Sequence, residues 1–157
     1  MSNISDAFKN GKAFIGFVTA GDPDLDTSLE IMTSMAQGGC DLIEIGIPFS
    51  DPIAEGPVIQ EADLRSLENG TTTDKVFDLT KKLREKVDIP LVYMTYLNVL
   101  FKYGYDRFLQ NAKESGVSGV IVPDLPFEEK MNFKALRINM ILTLFPLLLP
   151  RVRTELR

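Results

Sequence analysis

The 157-residue chain contains no histidine. That absence removes Ser–His–Asp and Cys–His nucleophile systems and almost every zinc site. Any acid–base chemistry falls to carboxylates, Tyr, Lys or the single cysteine, Cys40. One cysteine excludes an internal disulfide and fits a reducing compartment. There is no excess of basic residues either. A net charge of −5 and a pI near 4.8 do not supply the basic face that a phosphate backbone needs, so a nucleic-acid partner is not expected. The opening MSNISDAFKNGK has no apolar core segment. No signal peptide, no membrane association and a cytoplasmic location are therefore expected. Neither a Gly-x-Gly-x-x-Gly fingerprint nor a P-loop occurs, so a dinucleotide-binding reading lacks its phosphate loop.

What the chain does have is apolar content of 45% at a mean hydropathy of +0.03, enough for one core. Five apolar stretches read as strands: AFIGFVTAG, CDLIEIGI, IPLVYMTYL, VSGVIVPDL and INMILTLF. The first four are near-continuous runs, as expected of parallel strands buried on both faces. Helical patterns lie between them. Asp22-Pro23 reads as an N-cap and N1 pair, Leu25, Leu29, Met32 and Ala36 follow at helical spacing, and Gly38-Gly39 ends the helix. A short helix is expected from Pro57 to Asn69-Gly70, and Val76, Leu79, Leu83 and Val87 mark another. Phe108, Leu109 and Ala112 mark a helix ending at Gly116, and Pro126 is placed to open a further one. This β-α alternation implies a parallel sheet with right-handed crossovers, either an open doubly wound sheet or part of a (β/α)8 barrel. Each strand is followed by a polar or proline-rich segment, a habit that both architectures share.

Glu44 is the sharpest candidate for chemistry. It stands among Leu42, Ile43, Ile45 and Ile47, where a carboxylate is costly unless paired or protonated. A raised pKa would suit general acid–base work. A Glu paired with a cation across the sheet, or one facing solvent at a strand end, accounts for the same residue. The loop GIPFSDPIAEGP, residues 46–57, carries three prolines and the acids Asp51 and Glu55. Its stiffness makes Glu55 a site candidate, whereas Ser50-Asp51-Pro52 is also ordinary turn chemistry. Tyr96, Asn98 and Asp124 end the third and fourth strands, on the edge expected to carry Glu44 and Glu55. Phe17 belongs to the same edge and can line an apolar pocket or pack in the core. Cys40 reads as a small apolar residue.

FVTAGDPD, LIEIGIPFSDPIAEGPVIQEA, the Tyr-x-Asn of MTYLNVLFKYG and VPDLPFEE resemble the tryptophan synthase alpha subunit family, in order and spacing over about residues 1–130. The resemblance implies a (β/α)8 TIM barrel. It implies a lyase of tryptophan biosynthesis that cleaves indole-3-glycerol phosphate to indole and glyceraldehyde 3-phosphate. It implies an α2β2 complex in which pyridoxal phosphate belongs only to the beta subunit, leaving this chain without cofactor or metal. Residue by residue, it makes Glu44 the catalytic acid–base group and Glu55 the second catalytic carboxylate, where the family usually has Asp. Phe17, Met94 and Tyr96 fall on indole-pocket positions. Asp51 and Pro52 fall on the segment facing the beta subunit. A generic sugar-phosphate barrel lacks the long GIPFSDP segment.

The chain departs from that pattern in its length and its tail. A barrel of this kind takes roughly 250 residues, so four to five β/α units are expected here. Residues 131–157 carry five Lys or Arg against one acid, a net of +4 that leaves −9 for residues 1–130. No glycine follows Gly119, and FPLLLPRVRTELR has no helical or strand period. The reading is therefore a partial barrel over 1–157, family-like over 1–130 with an atypical tail. A shifted frame or truncated gene model is expected after about residue 140. The isolated polypeptide is expected to be catalytically inactive, at most a binder of the beta subunit, and prone to self-association through unpaired strand edges.

Overall fold

A computed structural model of the chain describes residues 4–53, 55–125 and 143–145. A 3-10 turn over Ile4–Phe8 precedes β1, Ile15–Thr19. Then come α1 (Leu25–Gln37), β2 (Leu42–Gly46), α2 (Pro57–Glu68) and α3 (Thr73–Arg84). β3 (Leu91–Met94), α4 (Leu97–Tyr103), α5 (Tyr105–Glu114), β4 (Gly119–Ile121) and β5 (Thr143–Phe145) complete the order. Among the described residues no helix is long and apolar enough to cross a membrane. Pro126 as a helix start and the tail beyond residue 145 lie outside the described residues.

All neighbouring strands pair in parallel, in the spatial order β1-β2-β3-β4-β5. A doubly wound sheet reverses its strand order at a switch point. This sheet never reverses, so right-handed crossovers put every helix on one face. The described residues thus form a five-stranded part of a TIM barrel, which resolves the choice between architectures.

The two faces differ accordingly. Ile43, Ile45, Tyr93 and Val120 point at the helices and are fully buried. They join Val76, Leu83 and Phe108 in the main core. On the other face Phe17, Glu44, Met94 and Ile121 are only half-buried. At its lower end that face is closed by the 3-10 turn, whose Ala7 packs with Leu42 and Val92.

Helix boundaries follow local chemistry. α1 is capped by Asp24, whose Oδ1 accepts the Thr27 amide at 2.8 Å. The cap is therefore not Asp22, because Asp22 is drawn away by Arg65, which donates to it through Nε and Nη2 at 2.8 and 2.9 Å. Gly39, at φ +96°, takes the left-handed conformation that ends α1. Pro57 opens α2 at a position where a missing N–H costs nothing. The helix α4 departs from the sequence expectation, which ran MTYLN together as a strand end. Asp124 Oδ1 accepts the Leu97 amide at 2.8 Å, so the donor that starts α4 is satisfied from the β4 side rather than by a local cap.

Behind the sheet, Phe77, Tyr93, Tyr103 and Phe108 make edge-to-face contacts with centroids 5.4 to 6.4 Å apart. The buried Tyr93 hydroxyl hydrogen-bonds Ser115 Oγ at 2.8 Å. Phe108→Ala is expected to cost about 3–5 kcal/mol, seen as a lower urea midpoint at unchanged slope.

Candidate active site

β2 alternates, and that alternation places Glu44. Ile43 and Ile45 go to the helices, so Glu44 faces the hollow of the sheet. Register sets Phe17 and Val92 on either side of it, with Thr19, Gly46 and Met94 in the next row. Gly46 makes room for an aromatic ring: a Cβ there would sit 2.6 Å from Phe17 Cζ. The Phe17 ring therefore lies across the strand end beside Glu44.

The Glu44 carboxyl is half-buried, and desolvation raises its pKa above the ordinary carboxylate value. Among the described residues no cation and no hydrogen-bond donor compensates it. Neither a paired structural glutamate nor a fully solvated one matches that description. The geometry gives a carboxyl that keeps its proton to a higher pH than an ordinary glutamate and faces an apolar-walled hollow.

Glu55 stands on the loop between β2 and α2. Its backbone carbonyl accepts from Gln60 Nε2 at 2.8 Å, tying the loop to the first turn of α2. Burial raises its pKa, and a hydrogen bond from Tyr96 pulls the other way. Its Oε2 is buried with no partner among the described residues. Tyr96 is itself buried and packs on Phe49 of the same loop at 5.4 Å. Tyr96 and Glu55 thus meet at the sheet edge above Glu44.

Sequence reasoning missed Asp63. It lies on the buried side of α2 and is only 5% exposed. Thr19 Oγ1 is 3.4 Å from its Oδ1, and the Phe49 amide is within reach of the same carboxyl. Desolvation, with the nearby Glu55 charge, pushes its pKa up to about 6. The available signal was its spacing: Ile59, Ala62, Asp63 and Ser66 recur as one helical face.

The other candidates separate. Asp51 is exposed and accepts from Ser50 Oγ at 2.5 Å, while Pro52 is half-buried. An open pocket of about 620 Å³ lies beside them, reaching Asn98, Lys102 and Tyr103 on α4; Phe17, Glu44 and Met94 do not line it. Asn98 is exposed there, and Asp124 is occupied in starting α4. The expected convergence of polar groups around Glu44 and Glu55 thus reduces to Tyr96. Cys40 is buried in the core.

The family model described as tryptophan synthase alpha chain matches residues 4–156. The tryptophan synthase alpha chain of Lacticaseibacillus casei is 44% identical over 150 residues, which are 96% of this chain and 56% of that one. That of Petrotoga mobilis is 50% identical over 135 residues, 86% of this chain and 52% of the relative. A solved Aquifex aeolicus chain superposes with a TM-score of 0.86 at 40% identity, covering 92% of this chain and 59% of that one. The tryptophan synthase subunit alpha of Legionella pneumophila gives 0.86 at 36%, covering 92% and 57%. A tryptophan synthase complex from Pyrococcus furiosus gives 0.79 at 38%, covering 84% and 54%. The chain spans somewhat over half the length of the curated relatives it matches. With its singly wound parallel sheet and its loop 46–57, the chain belongs to the tryptophan synthase alpha chain family.

Proposed function

We propose that this chain carries the acid–base half of a lyase site that cleaves indole-3-glycerol phosphate, a step of tryptophan biosynthesis. The observation that carries the reading is Glu44: a desolvated, uncompensated carboxyl beside the Phe17 ring, in the hollow of the sheet. Protonated Glu44 gives its proton to C3 of the indole ring, making a cationic iminium at the ring nitrogen. The neighbouring hydroxyl of the glycerol chain then returns a proton to the Glu44 carboxylate. The C–C bond between them breaks, and its electrons restore the indole as the alcohol carbon becomes the aldehyde of glyceraldehyde 3-phosphate. Glu55 accepts the indole N–H and stabilises the positive charge that C3 protonation creates. Phe17, Met94 and Tyr96 form the wall of the indole pocket. This scheme asks no cofactor of the chain; pyridoxal phosphate belongs with the beta subunit, which Asp51 and Pro52 are placed to meet.

The relatives' remaining length supports a second statement about this polypeptide. The five strands among the described residues present the acid–base groups along one sheet without enclosing them. We expect no indole release from the chain alone. Release is expected when the C-terminal half of the Petrotoga mobilis alpha chain is supplied in trans, with beta subunit present. Full-length Petrotoga alpha chain is the control. Indole from the isolated chain, abolished by Glu44→Gln, would overturn the expectation of inactivity. No indole in any combination, beside a working control, would overturn the lyase reading.

In the assembled system Glu44→Gln is expected to lower kcat by about 10²–10⁴-fold. The pH profile has a definite sign. The first step needs protonated Glu44, whose pKa is raised, so kcat/KM falls as pH rises through that pKa, and the limb vanishes in the Gln variant. Gly46→Ala is expected to leave the fold intact while displacing the Phe17 ring, raising KM by about tenfold with a smaller change in kcat. Steady-state kinetics of the complemented enzyme check both.

A further inference from the structure

We propose that Asp63 is a positioning residue for Glu55, fastening loop 47–56 to the end of β1 so that the Glu55 carboxylate stands beside Tyr96. The inference rests on the role given to Glu55 above, but its geometry is independent of any reaction. Asp63 is 5% exposed on α2, where a carboxylate is retained only at a cost. Its contacts run in two directions. One reaches Thr19 Oγ1, in the last residue of β1, at 3.4 Å, a long and weak bond. The other reaches the Phe49 amide on the loop. From Phe49 the path continues by packing: its ring meets the Tyr96 ring at 5.4 Å, and Tyr96 hydrogen-bonds Glu55. A single buried carboxylate thus links the strand that carries Phe17 to the loop that carries Glu55.

Charge strengthens the link in one direction and opposes it in another. The groups acting on Asp63 are Glu55 from the loop and Asp22 from the β1–α1 turn. Asp22 is engaged by Arg65 of α2, which also lies 4.0 Å from Glu61. Glu55 has no such cation among the described residues. Asp63 and Glu55 therefore repel when both are ionised, and their titrations are coupled. Asp63 thus holds the loop through neutral donors and itself titrates in the field of the Glu55 carboxylate.

Two variants of the full chain separate these effects from simple folding. Asp63→Asn keeps an acceptor oxygen for Phe49 and removes the charge. Asp63→Leu removes both. Amide hydrogen exchange at Phe49 reads the fastening, and carboxyl carbon NMR, with Asp63 assigned by Asp63→Asn, reads the field of Glu55 in the unaltered chain and in Glu55→Gln. In Asp63→Leu, Phe49 exchange is expected to rise by about tenfold or more while core amides such as Tyr93 keep their protection. In Asp63→Asn, Phe49 protection is expected to be largely kept, and in Glu55→Gln the Asp63 titration midpoint is expected to fall from about 6 by about half a pH unit. Unchanged Phe49 exchange in the Leu variant, or an unmoved Asp63 midpoint in a folded Glu55→Gln variant, overturns the proposal. If Leu does not fold, the Asp63 titration in Glu55→Gln alone decides it. Neither readout needs turnover, so an absence of indole in every assay would overturn the lyase reading and leave this result standing.

Discussion

The structure depends on the alternation of side chains along β2. A parallel strand sends odd and even residues to opposite faces. Ile43 and Ile45 are fully buried against the helices. Glu44, between them, points into the hollow, so the strand that anchors the core also delivers the charged group. A slip of one residue in pairing with β1 would exchange the two faces, burying Glu44 among the aromatics behind the sheet and exposing two isoleucines. The cost of that slip makes the register secure, and a secure register fixes the position of the carboxyl. Gly46 extends the same logic: the row after Glu44 holds no side chain from β2, and the Phe17 ring uses the space.

A second set of contacts aligns the upper edge of the sheet. The turn after β1 is bound mainly to α2, with one bond to its own helix, from the Gly21 amide to Ser28 Oγ at 3.2 Å. Ser66 Oγ donates to the Ala20 carbonyl at 2.6 Å, Asn69 donates to the Pro23 carbonyl, and Arg65 grips Asp22 through two nitrogens. Gly21, at φ +81°, comes so near that a Cβ would sit 2.3 Å from Thr71 Oγ1. The Arg65–Asp22 pair is half-exposed on the arginine side, so solvent screens it and its direct stabilisation is small. Its greater effect is geometric, because it locks α2, and with it Asp63, over the end of β1. The conspicuous TAGDP segment is thus largely an anchoring device for the loop that follows β2.

Much of the architecture was legible in the sequence because it was written in backbone chemistry. Pro57, Gly38-Gly39 and Gly116 sit where helices must start or stop, and they do so in the structure. Glu44 was legible because an acid inside an apolar strand is conspicuous. The errors came where partners are distant in sequence. Asp22-Pro23 looked like a helix cap, but Arg65, 43 residues away, takes the Asp22 carboxylate and Asp24 caps instead. The helix α4 begins through Asp124, 27 residues on, with no local cap to announce it. Asp63 was hidden by its neighbours: between Glu61 and Arg65 an acid reads as part of a solvated face, and only the partners Thr19 and Phe49 mark it as buried.

The position of the pocket and the protonation of Glu44 bear on the same physical point. The described cavity of about 620 Å³ opens beside Asp51 and α4, away from Glu44. A barrel encloses its contents only when strands face one another across the hollow, and the five adjacent strands among the described residues form a wall rather than a container. A wall still desolvates what stands on it. The raised pKa of Glu44 means that the folded chain binds its proton more tightly than the unfolded chain does. The stability tied to that proton is present below the unfolded pKa and is lost as pH rises through the folded one. Holding the ionised form is therefore a strain on the fold at higher pH. Additional strands across the hollow would desolvate Glu44 further and raise its pKa more, toward the range in which a general acid works. The property that costs this chain stability is the one on which the proposed general-acid role of Glu44 rests.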